Sequence, residues 1–351
     1  MLRLKVLAGL TALCILSSNG QAEHLDKLWD FDLRKAYETE PVWPEREILL
    51  DSLVFSASGD RLAAIVRSHN SLGKLRSDIW ILDTTGPERH AFRLGTNFVL
   101  DGPVLSFTWS QSGQRIDASG TVASIAGGDA CTIPEFGGFI TENELIAHPA
   151  GRGSFTVFDA NCKAKTEWQS ADQWILSDVS PERGWLLFWT DTEALILDRQ
   201  GNVLHEWPGR ERTQSRFADS GRLLCGPFDS VKPRKRSVAC WIADTGQLIG
   251  VAPADLAHEF AASSHSIRVI VSDYREFPVS LTDVKPEIFK ELFVWDFATS
   301  RKVVSWRSEF RHPFAISPDG QYVAEGGKGL VRVYKIGSEA NSRESNKINP
   351  W

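Results

Sequence analysis

Short apolar runs alternate along this chain with polar segments rich in serine, aspartate and glycine. Runs of this length, bounded by turn-forming residues, read as β-strands. One pattern recurs, an apolar segment that ends in aspartate. It appears as Trp80-Ile81-Leu82-Asp83, Thr156-Val157-Phe158-Asp159, Leu195-Ile196-Leu197-Asp198, Trp241-Ile242-Ala243-Asp244 and Phe293-Val294-Trp295-Asp296. The copies lie about 40 to 50 residues apart, with one doubled interval between the first two. Continuing the period past Asp296 lands on Lys335, directly after Val331-Arg332-Val333-Tyr334.

A second pattern precedes each of these, a strand, a Ser/Asp/Gly turn and another strand. It is clearest at Ile316-Ser317-Pro318-Asp319-Gly320 and also occurs around Gly59, Gly113, Gly184 and Gly221. Serine and proline open such a turn, and glycine supplies the left-handed position at its end. Weaker copies fall at Thr141–Glu144 and Ser263–Ser266, where Asn143 and His265 are expected to replace the glycine. A third pattern follows the aspartate: Trp168, Trp207 and Trp306 stand at nearly constant spacing after Asp159, Asp198 and Asp296. That spacing leaves room for a tight turn and one outer strand. The unit is therefore four short strands, which cannot bury both sheet faces alone and must stack radially. The prediction is an all-β chain forming a single β-propeller of about seven four-stranded blades.

On these residues the chain resembles the WD-repeat and YVTN-type β-propeller superfamily, in a divergent, exported bacterial form, over roughly Asp26 to Ile336. Phe293-Val294-Trp295-Asp296 is its nearest approach to the Trp-Asp dipeptide, and Ile316–Gly320 matches the family's inner turn. The Gly-His pair of true WD repeats and a literal Tyr-Val-Thr-Asn are both lacking. The resemblance implies a flat face built from loops of every blade, suited to a protein or peptide partner.

The polar stretch after Tyr334 leaves the last blade without an outer strand. The segment Leu25 to Leu33, containing Trp29, is expected to supply it and close the ring. Residues 1–22 read as a signal peptide: Arg3 and Lys5, an apolar run from Val6 to Leu16, then Gly20 and Ala22 as small residues at the cleavage end. The expected organisation is thus a signal peptide at 1–22, a propeller at 23–336 and a polar tail at 337–351, in the periplasm or secreted. No transmembrane segment is expected after cleavage, and the chain is expected to be monomeric.

The formal net charge of −6 offers nucleic acid nothing to bind, and loss of Arg3 and Lys5 makes the chain more acidic. Export makes Cys131, Cys162, Cys225 and Cys240 disulfide candidates, and four cysteines allow three pairings. Cys225 and Cys240 flank a polar loop between two apolar segments, which suits a cross-strand bridge and leaves Cys131 with Cys162.

Catalytic, cofactor and metal constellations are not recognisable. The eight histidines are scattered, and the repeated aspartates read as turn formers. Two insertions break the repeat and become the candidate partner-binding surfaces. Gly226–Val238 carries Lys232, Arg234, Lys235 and Arg236, and Ser272–Glu291 carries Tyr274, Arg275, Phe277 and Phe289. Long connections in compact domains often bind partners. The functional expectation is a non-enzymatic scaffold. The competing reading is a lactonase-like or quinoprotein dehydrogenase-like propeller enzyme with a site in the central channel.

Overall fold

The second strand of the first blade, Arg61–His69, contains an uninterrupted buried run from Leu62 to Val66. Successive side chains on a strand face opposite ways. Leu62, Ala64 and Val66 accordingly enter one hydrophobic cluster, and Ala63 enters another. A strand this apolar needs a partner on each face, and the architecture provides two. The computed structural model describes residues 23–37, 48–69, 75–85, 90–94, 100–101, 107–134, 137–147, 154–169, 174–190, 193–208, 215–230, 235–254, 257–276, 288–310 and 313–338. The leader at 1–22, Lys232, Arg234, Phe277 and the tail beyond Ser338 lie outside the described residues.

The strands form seven antiparallel sheets, the blades of a β-propeller. With strands given from the axis outward, blade 1 is Leu49–Phe55, Arg61–His69, Leu75–Asp83 and Ala91–Arg93, with a short extra strand at Leu100–Asp101. Blade 2 is Phe107–Trp109, Arg115–Ala118, Thr121–Ser124 and Cys131–Thr132. Blade 3 is Gly137–Thr141, Glu144–Ala147, Ser154–Asp159 and Ala164–Gln169. Blade 4 is Ile175–Ser180, Trp185–Trp189, Glu193–Leu197 and Val203–Pro208. Blade 5 is Arg216–Ala218, Leu223–Ser230, Lys235–Ile242 and Leu248–Ala252. Blade 6 is Ala257–Ala262, Arg268–Glu276, Ile288–Asp296 and Arg301–Ser308. Blade 7 is Phe314–Ile316, Tyr322–Gly327 and Leu330–Ser338, and its outer strand is Glu23–Asp32 from the amino-terminal end.

The described core divides into seven clusters, each formed between two neighbouring blades. The same split recurs at Leu186 and Phe188 against Leu187, and at Leu223 and Cys225 against Leu224. Each large apolar side chain buried this way contributes roughly 1.5–3 kcal/mol. The outer-strand tryptophans join the packing: Trp168 stacks on Phe155 of its own blade at 4.8 Å and meets Phe188 of blade 4 edge-on at 6.0 Å.

The inner turns are built alike. In blades 1, 2 and 7 the carbonyls of Ser56, Ser110 and Ser317 each accept the amide of a glycine at 2.9 Å, and their hydroxyls accept the amides of Arg61, Arg115 and Tyr322. The glycines, Gly59, Gly113 and Gly320, lie at φ of 76°, 68° and 70°, the left-handed region that disfavours a Cβ. The expected substitutes do not follow this pattern. Neither Asn143 nor His265 has positive φ, whereas Asp219 and Ser220 do, at 48° and 54°. The blade 3 hairpin closes instead through a register shift between Phe139 and Thr141.

Arginines that follow these turns clasp the next blade. Arg61 Nη1 donates to Gly113 O at 3.1 Å, and Arg268 Nη1 donates to Gly320 O at 3.2 Å. Three of the repeated aspartates close turns: Asp159 accepts the amides of Asn161 and Lys163, Asp198 those of Gln200 and Asn202, and Asp296 those of Ala298 and Thr299. The Asp83 and Asp244 carboxylates face Arg61 and Arg183 instead. Two disulfides are formed, Cys225–Cys240 directly across blade 5 and Cys131–Cys162 between blades 2 and 3.

Candidate functional site

Because each blade is an antiparallel meander, its innermost strand begins on the same face of the ring as the hairpin joining its second and third strands. The two insertions singled out in the sequence are such hairpins, in adjacent blades 5 and 6. Much of each is paired strand rather than free loop. Ser230 lies opposite Lys235, and Glu276 lies opposite Ile288, so paired strand extends at least to these positions. Backbone register sets Tyr274 opposite Lys290 and Arg275 opposite Phe289. Arg236 is the second residue of the third strand of blade 5, opposite Asp229 in the register, and its side chain is exposed.

At the base of these hairpins lies a cleft of about 420 Å³ between blades 4, 5 and 6. Leu176, Trp189 and Phe260 are among its apolar residues, and Arg216, Arg236 and Glu259 are its charged ones. A second cavity, of about 360 Å³, runs along the channel wall formed by blades 2, 3 and 4. Leu176, Ser177 and Arg216 line both, so the guanidinium of Arg216 stands where the cleft meets the channel.

Arg216 is anchored through one nitrogen. Nη1 donates to Ser177 O and Ser177 Oγ, both at 2.6 Å, and to Ser215 O at 3.2 Å. Ser177 Oγ in turn donates to Ser215 O at 3.0 Å. Ser215 is buried against Gly226, at a point where any side chain in place of the glycine would collide with it. Asp178, the next residue in the channel wall, accepts the Phe217 amide at 2.7 Å. Desolvation raises its carboxyl above the ordinary range, opposed by the charge of Arg216.

Lys290 lies behind the cleft, 5% exposed, with Nζ 4.6 Å from the Phe314 ring centre. Desolvation lowers it to about 8, and the charges of Glu259 and Glu325 oppose that shift. Glu259 is thus engaged electrostatically from behind the cleft. On the channel side, Thr108 Oγ1 and Asp117 Oδ2 are buried without a partner among the described residues. No group of three histidine, cysteine, aspartate or glutamate side chains among the described residues is placed to hold a metal ion. No described helix is long and apolar enough to cross a membrane.

The sequence patterns identified Arg236 but not Arg216, Trp189 or Phe260. A signal for Arg216 does exist. Five residues before the turn glycine, blades 1, 2 and 7 carry Val54, Thr108 and Ala315, whereas blade 5 carries Arg216. Ala315 is buried in a core cluster and Val54 packs against one, whereas the Arg216 side chain is exposed and lines both cavities. Trp189 and Phe260 give no comparable signal, because aromatic residues on strands read equally well as packing.

No protein-family model and no curated protein matches the chain. Solved structures do match it. A chain from the crystal structure of the Mitotic Checkpoint Complex is similar at 13% identity and a TM-score of 0.56, over 96% of this chain and 100% of that one. The Neurospora crassa Pan2 WD40 domain is similar at 14% identity and a TM-score of 0.55, over 90% and 96%. At these identities the likeness is one of architecture, and it agrees with the seven radial sheets and seven inter-blade cores. The chain has a WD-repeat-like β-propeller fold.

Proposed function

We propose that this protein is an exported scaffold that binds a protein or peptide partner on the propeller face carrying the blade 5 and blade 6 hairpins. The observation that carries this reading is the cleft at their base, where Leu176, Trp189 and Phe260 converge with Arg216 and Arg236. Apolar and aromatic side chains beside arginine are the composition that protein-binding surfaces favour. The fold adds support, because one of the similar chains belongs to a protein assembly, the Mitotic Checkpoint Complex. Support for export comes from the leader-like pattern at 1–22 and from two disulfides, which persist in oxidising compartments.

The test is affinity capture from a periplasmic extract with the mature chain, with Trp189→Ala, and with residues 278–286 replaced by a glycine-serine linker. Partners retained by the wild type and lost by Trp189→Ala support the cleft. Identical partner lists from wild type and both variants would overturn this reading.

A further inference from the structure

Arg216 commits only part of its hydrogen-bonding capacity to the protein itself. A guanidinium carries five N–H donors in a fixed plane. Both hydrogens of Nη1 face the Ser177 and Ser215 acceptors. The Nη2 and Nε hydrogens have no acceptor among the described residues. These form the side-on edge of the guanidinium, whose geometry matches the two oxygens of a carboxylate. The serine contacts therefore hold one edge in place and leave the recognition edge open. An arginine fixed in this way loses less side-chain freedom on binding than a mobile surface arginine.

The surrounding charges agree. Arg236 lines the same cleft, is exposed, and has no hydrogen-bond or ion-pair partner among the described residues. Glu259, the acidic residue of the cleft, is engaged with Lys290 behind it. Asp178 belongs to the channel cavity, and its Oδ2 is occupied by the Phe217 amide. Two cations thus face one concave surface beside Leu176, Trp189 and Phe260; the carboxylate acting on Arg216 is the buried Asp178, and Glu259 is shared with Lys290. A volume of about 420 Å³ admits a few side chains of an extended segment rather than a folded domain.

We propose that the cleft recognises an extended acidic peptide segment, pairing a side-chain carboxylate with the Nη2/Nε edge of Arg216 and seating a neighbouring apolar side chain against Trp189 and Phe260. This rests on the scaffold reading above and names the chemistry of its partner. Arg236 supplies a second, longer-range attraction at the rim, so acidic residues flanking the anchor strengthen binding and salt weakens it.

The test uses the mature full-length chain and three labelled peptides followed by fluorescence anisotropy: one alternating leucine with glutamate, its glutamine counterpart, and one with phosphoserine replacing glutamate. The glutamate peptide is expected to bind at least about tenfold more tightly than the glutamine peptide. It should lose about tenfold in affinity with Arg216→Gln, remain weakened with Arg216→Lys, which lacks the fork, and lose less with Arg236→Ala. Circular dichroism melts of the exposed-arginine variants establish that they fold.

Equal binding of the glutamate and glutamine peptides would overturn the proposal, as would absence of binding or unchanged affinity in Arg216→Gln. Tighter binding of the phosphoserine peptide than of the glutamate peptide would replace it with phosphopeptide recognition. The two levels separate through Trp189→Ala. Partner capture lost in Trp189→Ala but kept in Arg216→Gln retains the scaffold and removes the carboxylate. Capture unaffected by either variant removes both.

Discussion

Leu25 and Ile336 lie directly opposite each other in the outer half of blade 7, joining the two ends of the described chain in one sheet. This pairing continues from Glu23↔Ser338 to Asp32↔Leu330 with a single register shift between Lys27 and Trp29. Leu33 follows, fully buried in the cluster between blades 7 and 1, and its amide donates to Gly329 O at 2.8 Å.

The ring is therefore held shut by its own amino-terminal strand. Deleting residues 23–34 is expected to lower the melting temperature sharply, because it exposes the edge of Leu330–Ser338 and removes a core side chain. Leu33→Ala alone should cost about 2–5 kcal/mol in urea unfolding. A deletion variant that melts like the wild type would refute the closure.

Asp117 in blade 2 is fully buried; Oδ1 accepts the Gly120 amide at 3.0 Å, and desolvation pushes its carboxyl up to about 7 from an ordinary 3.8. The folded chain then holds a proton that the unfolded chain releases, so stability falls as pH rises through that interval and is level above it. The full span is on the order of 4 kcal/mol. Asp117→Asn keeps the acceptor for Gly120 and removes the titration. The variant should be more stable than wild type at pH 8 and nearly equal to it near pH 4. A difference that does not change with pH would reject the assignment.

The two disulfides should respond unequally to reductant. Cys225 and Cys240 are buried at 1% and 0% exposure, whereas Cys131 and Cys162 are half-buried at the edge between blades 2 and 3. Limited reduction with mass-spectrometric alkylation mapping should open Cys131–Cys162 first. Its loop spans a sequence separation of 31. Replacing both cysteines by serine should cost about 2–4 kcal/mol. Preferential alkylation of Cys225 and Cys240 in the folded protein would contradict this order.

Glu325 is a polar keystone between blades 6 and 7. It is 2% exposed and accepts hydrogen bonds from Trp306 Nε1 at 3.2 Å, Ser308 Oγ at 2.7 Å and Tyr334 Oη at 2.9 Å. Burial and the neighbouring carboxylate raise the Tyr334 hydroxyl above its usual range. Glu325→Ala takes the acceptor from Trp306 Nε1 and Tyr334 Oη, while Ser308 Oγ keeps Phe310 O, and should cost about 3 kcal/mol or more in chemical denaturation. Glu325→Gln retains an acceptor and should cost less. A larger loss in the glutamine variant would show that the network does not work as described.

How much was legible from residues alone depends on the range of the forces concerned. Turn chemistry is local. In Ser317-Pro318-Asp319-Gly320 the Ser317 and Asp319 side chains and the Gly320 amide bond to groups within a few residues, and such turns announce the strands on either side. Apolar runs such as Leu62–Val66, together with the recurring period, required sheets stacked on both faces, so the propeller could be read before any coordinates. The capping aspartates were legible for the same reason, since Asp159 and Asp198 bond to amides only a few residues on.

The tertiary structure decided where neighbouring blades meet. Asn143 and His265 follow no left-handed rule because their turns are shaped by contacts from other blades, as the His265 amide shows by donating to Pro318 O at 2.8 Å. The cleft brings together Leu176, Trp189, Arg216 and Phe260 from three blades, and no local pattern encodes that convergence. Period and turn chemistry are short-range properties that one chain segment can express by itself. A binding surface here is assembled across blades, so its chemistry appears only when the ring is closed.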